Sequence, residues 1–368
     1  MTATERDTPQ PSAERPDLDF GYATRTLRLR GVSGRIGVRL LTVSAMLVAL
    51  ALGLAVVSLT VGDYPLTIGQ VLRVLGGGGE SFHRIIALEW RLPIAVAAVA
   101  FGALLGIGGA IFQSLTRNPL GSPDVIGFDA GSYTAVVVTI LVVGSGNYWS
   151  IASAAILGGL LNAAVVYVLA YRQGVQGFRL IIVGIGVSAM LGSVNAYLIT
   201  RADIDDAMTV GFWGAGSLSR VTWISMLPSL LVGGVIVAAA LALSPSLRRL
   251  ESGDDSAITL GTRVGRDRLA LLVVGVATSA LVTAAAGPIG FIALVSPQLA
   301  RRLTRSPGVS LLAAAGMGAA LLACAHLLSL LIAQAYRPVP VGLITVCLGG
   351  LYLIWLLIHE SRKSAGPA

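Results

Sequence analysis

Long stretches without a charged side chain constrain this chain more than any other feature. The first, Leu40–Val61, has 22 consecutive residues without Asp, Glu, Lys or Arg. At about 1.5 Å per residue, a helix of that length crosses a hydrocarbon core of about 30 Å. Similar stretches recur along the 368 residues, of which 55% are hydrophobic and only 12% charged. Because about a quarter of the residues of soluble domains are charged, the sequence predicts an integral membrane protein.

The apolar stretches predict an all-α membrane protein with about ten transmembrane helices. The eighth stretch follows Gly287, Pro288 and Gly290, which break a helix, so this span is expected to be short or re-entrant. The predicted spans are 40–61, 91–115, 124–143, 151–170, 180–200, 223–243, 269–287, 288–303, 309–333 and 342–358.

The distribution of basic residues predicts which side of the membrane each loop faces. If both termini lie in the cytosol, 20 of the 26 Lys and Arg residues fall on the inner side and six on the outer side. The positive-inside rule requires such a bias, so the net charge of +8 reflects topology and nucleic-acid binding is not expected. We expect a multi-pass protein of the cell membrane with a disordered cytosolic tail (1–37), one transmembrane domain (38–360) and a cytosolic C-terminal tail (361–368).

Two glycine patterns are interpreted as packing surfaces. Gly184–Ala189 matches the dinucleotide-binding pattern G-x-G-x-x-A, which needs a preceding strand and a βαβ unit. Here the pattern lies inside an apolar stretch, so the glycines are predicted to allow close helix packing. Gly102 and Gly106 have the small-residue spacing of a helix–helix interface.

Several kinds of catalytic and energy-coupling site are absent from the sequence. A P-loop requires a lysine, and the only one, Lys363, lies near the C-terminus. An ATPase driving this protein would therefore be a separate polypeptide, and neither an enzymatic activity nor a cofactor is expected. Ion-coupled transporters use ionisable residues within the membrane, and the predicted spans contain few. The acidic cluster Asp203–Asp206 is interpreted as a solvated outer loop.

The longest internal cytosolic loop, 244–268, contains a short predicted helix. Asp254 or Asp255 is expected to cap its beginning, and Gly261 to end it. A capped, partly apolar helix facing the cytosol fits either a docking element or a simple connector.

Six motifs carry a resemblance to a known family. They are Arg91–Pro93, Gln113–Pro123, Trp213–Leu218, Leu260–Gly261, Ala286–Pro297 and Pro340–Gly342. In order and spacing, and above all in R-N-P-L-x-x-P and A-G-P-I-x-F, the chain resembles the FecCD/BtuC permeases of type II ABC importers. The resemblance covers residues 40–360 and is strongest to the ferric-enterobactin branch.

The resemblance implies a permease subunit of ten helices that moves an iron–siderophore complex into the cytoplasm. Its implied partners are two ABC ATPase subunits, a second permease subunit (a copy or a paralogue) and an extracytoplasmic siderophore-binding protein. Haem or cobalamin is an alternative cargo. An ion-coupled secondary transporter and a membrane-embedded enzyme are the competing classes.

The resemblance also implies roles for particular residues. Residues 251–261 would be the coupling helix, with Asp254, Asp255, Ala257, Leu260 and Gly261 contacting the ATPase. Gln176, Gly177 and Phe178 would lie at the inner gate, and Arg91 and Arg337 would contact the binding protein outside. Four positions depart from the family pattern. Gln298 stands where histidine is common, His326 and Leu330 stand where an Asp and an Arg are common, and Pro338 replaces an acidic residue.

Overall fold

The computed structural model describes residues 24–29, 32–170 and 177–364, and helices dominate this part of the chain. The helices are α1 (Val38–Ser58), α2 (Ile68–Leu75), α3 (Ser81–Arg84), α4 (Leu92–Thr116), α5 (Phe128–Leu141), α6 (Tyr148–Ala170), α7 (Gly177–Arg201), α8 (Ile204–Gly214), α9 (Trp223–Glu251), α10 (Asp254–Thr259), α11 (Val264–Ala286), α12 (Ile292–Thr304), α13 (Leu311–Ala335) and α14 (Val341–Ser364). A π-helical segment, Ile85–Arg91, joins α3 to α4.

Every predicted span coincides with a helix, but the helices differ in length. Within the described residues, seven are long and apolar enough to cross a membrane, and Phe128–Leu141 and Val341–Leu356 are shorter apolar helices. The predicted short span is α12, which has 13 residues. The chain is therefore a multi-pass helical membrane protein, and length and composition support seven spans on their own.

Two short helices form where the sequence predicted loops. Helix α2 begins with a capping box, in which the Thr67 side chain and the Gln70 side chain each bond to the other's backbone N–H. Helix α8 contains Asp205 and Asp206 in its first turn, so the interpretation of this acidic cluster as a loop was wrong. Acidic residues favour the beginning of a helix because they complement the helix dipole.

Part of the N-terminal tail pairs as a β-hairpin, where the sequence predicted disorder. Strand β1 (Thr24–Leu29) runs antiparallel to β2 (Val32–Gly37), in a register from Thr24 opposite Gly37 to Leu29 opposite Val32. Thr24, Thr26, Val32 and Ile36 are of residue types that favour strands. The prediction of disorder rested on the absence of a long apolar run and missed this hairpin.

Helix α4 lies at the centre of the bundle because its small residues admit other backbones. A Cβ added at Gly106 would meet the Ala314 carbonyl group of α13, and one added at Gly102 would meet Gly318. On other sides of α4, Gly109 lies against the Ala293 backbone of α12. The predicted interface at Gly102 and Gly106 is confirmed as the contact between α4 and α13.

The G-x-G-x-x-A pattern lies in the interior of α7, and only one of its glycines is tightly packed. A Cβ at Gly184 would meet the backbone of Ile126, in the segment between α4 and α5. Gly186 is exposed, and no described atom lies within 4 Å of an added Cβ there. The packing interpretation is therefore confirmed for Gly184 and wrong for Gly186.

The chain breaks between α11 and α12 as the sequence predicted. Gly287 ends α11 with φ of 76°, and Phe291 precedes α12 with φ of 67°. Positive φ at both residues takes the chain out of the helical path between the two helices. The N–H of Phe291 donates to Asp124 Oδ2 at 2.8 Å. Asp124 thereby connects the R-N-P-L segment to the beginning of the short helix α12.

Candidate functional site

The loop 244–268 forms the predicted short helix, α10, with a glycine at each end. Gly253 has φ of 110° and Gly261 has φ of 78°, values that favour glycine. The N–H of Thr262 donates to the carbonyl oxygen of Ala257 at 2.9 Å and closes the helix. The predicted stop at Gly261 is confirmed. The predicted cap is wrong: the N-cap is Gly253, and the structure describes no side-chain bond there.

Helix α10 has one buried face and one exposed face. Ala257 is fully buried and packs in a cluster with Leu247, Leu250 and Leu271. Leu260 is 61% exposed and Ile258 is 60% exposed. Of the residues assigned to ATPase coupling, Ala257 therefore holds the helix against the bundle, whereas Leu260 lies on its outer surface. Asp255 is also exposed.

Sequence reasoning overlooked Ile258, although its position beside Leu260 was a usable signal. Large apolar side chains that are exposed close together outside a membrane-spanning segment are typical of an interaction surface. Together, Asp255, Ile258 and Leu260 form what we call the α10 surface.

Asp254 contacts two arginines and is not part of that surface. Arg117 Nη2 and Arg268 Nη2 donate to the same oxygen, Asp254 Oδ1, at 2.6 Å and 2.7 Å. Burial raises the pKa of Asp254, but the hydrogen bond and charge of Arg268, together with the charge of Arg117, outweigh it, so the pKa lies below its ordinary value. Asp254 is therefore ionised at neutral pH.

A second carboxylate, Glu251, makes a neighbouring connection at the end of α9. Its Oε1 accepts a hydrogen bond from Ser114 Oγ at 2.6 Å and one from the N–H of Val309 at 3.4 Å. The end of α9 is thereby joined to the last turn of α4 and to the segment before α13.

The predicted inner gate is described only in part. Gln176 lies outside the described residues, Gly177 begins α7, and Phe178 is 74% exposed. Leu180, two residues further on, is buried in a cluster with Phe128 and other side chains. The beginning of α7 thus presents an exposed aromatic ring next to an anchored leucine.

On the opposite side of the bundle, Arg91 holds a loop in place. Its Nη1 donates to the carbonyl oxygen of Leu59 at 2.8 Å, and its Nη2 donates to that of Tyr64 at 2.7 Å. Arg91 also lines a cavity of about 240 Å³ with His326 and Leu330. Two of the positions that depart from the family pattern therefore meet Arg91 at one place.

The other predicted outer residue, Arg337, lies in the segment between α13 and α14. Arg337 and its neighbour Pro338 are both exposed. Its guanidinium is therefore accessible, whereas that of Arg91 is half-buried and bonded to backbone.

Gln298 connects the two most specific motifs. Its Nε2 donates to the carbonyl oxygen of Pro119 at 2.7 Å, and its Oε1 accepts from Tyr352 Oη at 3.1 Å. A parallel bond runs from Gln113 Nε2 to the carbonyl oxygen of Leu294 at 2.8 Å. The glutamine at this position therefore fastens the R-N-P-L segment to α12 and α14.

Comparison with known proteins identifies the family. A model of the FecCD transport family matches residues 46–359. This chain belongs to the FecCD transport family. The family predicted from the six motifs is thereby confirmed.

Relatives similar to this chain are transport permeases. Ferric enterobactin transport system permease protein FepG of Escherichia coli K12 is 44% identical over 325 residues, which cover 88% of this chain and 98% of FepG. The iron(3+)-hydroxamate import system permease protein FhuG of Bacillus subtilis is 33% identical over 314 residues, covering 83% of this chain and 93% of FhuG.

A solved structure shares the fold. A metal-chelate type ABC transporter in an inward-facing conformation matches with a TM-score of 0.73 and 24% identity, covering 87% of this chain and 99% of that chain. The helical fold described above is therefore shared with that chain.

Proposed function

We propose that this protein is the transmembrane permease subunit of an ABC importer that moves a ferric siderophore of the enterobactin kind into the cytoplasm. The observation that carries the proposal is the 44% identity to FepG across 88% of the chain. The sequence has no P-loop lysine, which fits an energy source on a separate ATPase. The proposal includes ten spans in one domain (38–360), with the tails 1–37 and 361–368 in the cytosol of a cell-membrane protein. It also includes two ATPase subunits, a second permease subunit and an extracytoplasmic binding protein.

Uptake by the reconstituted complex tests the cargo and the energy source together. The permease, with the ATPase and binding protein encoded beside it, is placed in liposomes, and entry of radioactive iron as ferric enterobactin is measured. We expect uptake that requires ATP inside and the binding protein outside, with haem and cobalamin transported poorly. Uptake by the permease alone on an ion gradient would contradict the proposal, as would a preference for cobalamin.

The α10 surface is the proposed contact with the ATPase. Two large apolar side chains, Ile258 and Leu260, are exposed on a helix that the predicted orientation places in the cytosol. Replacing Leu260 by Arg should remove the ATPase during affinity purification, because a buried charge without a partner is costly at an interface. The matched control is Leu303→Arg, since Leu303 is also apolar and is 47% exposed on α12. Equal ATPase recovery from both variants would count against this contact.

The proposed outer contact centres on Arg337. Because its side chain is exposed, Arg337→Glu should slow association of the binding protein, and more so at low salt. Arg91 contributes by holding the outer loop, so Arg91→Glu should lower affinity with a weaker salt dependence. Surface plasmon resonance at two ionic strengths separates the two effects. Identical salt slopes for both variants would refute the distinction.

The proposed inner gate is the beginning of α7, with Gln176, Gly177 and Phe178. The exposed ring of Phe178 supports a role at an opening rather than in the core. Phe178→Ala should increase leakage of a small fluorescent solute from liposomes containing the ATP-free complex. Leakage equal to that of the wild type would speak against a gate at this position.

A further inference from the structure

Three helix ends meet at a single carboxylate oxygen on the cytosolic side. Arg117 follows the end of α4, Arg268 lies near the beginning of α11, and both donate to Oδ1 of Asp254, the first residue of α10. Arg117 Nη2 also donates to the carbonyl oxygen of Leu250 in α9 at 3.2 Å. We call Arg117, Asp254 and Arg268 the ion triad.

The backbone of Arg117 indicates that its side chain is needed where it lies. Arg117 has φ of 50° and ψ of 34°, the left-handed conformation in which glycine normally ends a helix. A side chain with a Cβ is disfavoured there, yet from this position the guanidinium reaches both Leu250 and Asp254. A glycine or asparagine would fit the turn more easily but could not make either bond.

The backbone on either side of α10 supplies little stiffness of its own. Gly253 and Gly261 flank the helix with positive φ, and no atom in the described chain lies within 4 Å of a Cβ added at either. A force on the exposed face of α10 can therefore turn the helix about these glycines. The ion triad joins α10 sideways to α4 and α11 and resists that turn.

Both arginines lie close to one buried cluster that also contains the beginning of α7. Phe112 lies on α4 just before Arg117, and Leu272 is one turn after Arg268 on α11. These two side chains share a cluster with Leu180 of α7. Leu180 follows the proposed gate residue Phe178 by two positions.

We propose that the ion triad transmits displacement of α10 into α4 and α11, and through Phe112 and Leu272 to the beginning of α7. Arg117, Asp254 and Arg268 are positioning residues in this role. The inference rests on the proposed function, because it needs an ATPase that displaces α10. Close packing makes such transmission effective, since a packed core shifts between discrete arrangements instead of deforming smoothly.

The test measures how much uptake each hydrolysed ATP supports. In liposomes containing the full complex, Arg117→Gln and Asp254→Asn should each lower the ratio of uptake to ATP hydrolysis about fivefold, as expected for loss of a partly exposed charge pair. Recovery of the ATPase on purification should stay at the wild-type level, because the α10 surface is unchanged. The matched control is Arg266→Gln, an exposed arginine in the first turn of α11, which should keep the wild-type ratio.

A double-mutant cycle identifies the connection itself. If Arg117 and Asp254 act through one bond, the double variant should be no worse than either single variant. Asp254→Glu, which keeps the charge, should retain most of the ratio. If Asp254→Asn does not assemble, Asp254→Ala, which also removes the charge, replaces it in the cycle. Single variants with the wild-type ratio would overturn the inference, as would a double variant whose loss is the product of the two single losses. An inactive wild-type complex would instead refute the proposed function.

Discussion

Two glycines in one helix, two residues apart, should respond in opposite ways to the same substitution. Gly184 of α7 is buried against the backbone of Ile126, whereas Gly186 is exposed with no described atom near an added Cβ. Alanine at either position brings the same gain in helix propensity, about 1 kcal/mol. The difference in stability between the two variants therefore measures the cost of a Cβ at the contact between Gly184 and the Ile126 backbone.

The clash at Gly184 sets the expected magnitude. A Cβ there would lie 2.8 Å from the carbonyl carbon of Ile126 and 3.0 Å from its Cα, whereas carbon atoms pack at about 3.5–4.0 Å. Helix α7 would have to move away by roughly 1 Å, and overpacking of this kind costs about 1–3 kcal/mol. We expect Gly186→Ala to stabilise the protein by about 0.5–1 kcal/mol. The two variants should then differ by about 1–3 kcal/mol in free energy of unfolding.

Thermal unfolding of the purified permease in detergent measures this difference. The Tm of Gly184→Ala should lie at least about 2 °C below that of Gly186→Ala. The double variant should show the sum of the two shifts, since the two Cβ atoms point to different surroundings. Equal Tm values would refute the close packing of α7 against Ile126.

Three further substitutions test contacts in the site. Arg91→Ala should expose the loop near Tyr64 to limited proteolysis, because each charge-assisted hydrogen bond that is lost is worth about 1.5–3 kcal/mol; unchanged cleavage would contradict the anchoring role. Gln298→Leu should lower the Tm by a few degrees, because the carbonyl oxygen of Pro119 and the hydroxyl of Tyr352 lose a buried partner; Gln298→Glu should restore the bond to Tyr352 only. Ala257→Leu should reduce ATPase recovery on purification, because a larger side chain under α10 forces the helix outwards; normal recovery would show that the helix tolerates displacement.

The spans were predictable because a hydrocarbon environment leaves few solutions. Backbone groups in lipid must bond within a helix, so length and apolarity alone locate the segments. Length and apolarity do not detect helices that lie outside the bilayer. Helix α2 carries a readable signal in Thr67 and Gln70, a capping box in the sequence. Helix α8 follows Asp203, a residue type preferred at the N-cap, although this side chain makes no capping bond. Both helices were missed because they are short and amphipathic and lie between stronger signals.

The site was only partly predictable because its contacts join distant parts of the chain. The short helix and its stop at Gly261 follow from local glycine chemistry. Arg117 and Asp254 are 137 residues apart, so no local sequence pattern predicts their bond. The same holds for Gln298, whose partner Pro119 is 179 residues away. The resemblance identified the segments that matter, and the structure shows how their side chains meet.

Helix α4 separates two arginines by its whole length: Arg91 precedes its first residue and Arg117 follows its last. The predicted orientation places Arg91 on the outer side and Arg117 on the inner side. Because its glycines bring it against the main chains of α12 and α13, such a rod cannot bend easily and tilts as a unit. A tilt imposed at one end of α4 then displaces its other end. Binding on the two sides is then coupled reciprocally. If a bound binding protein changes the affinity of the ATPases for nucleotide by some factor, nucleotide must change the affinity for the binding protein by the same factor.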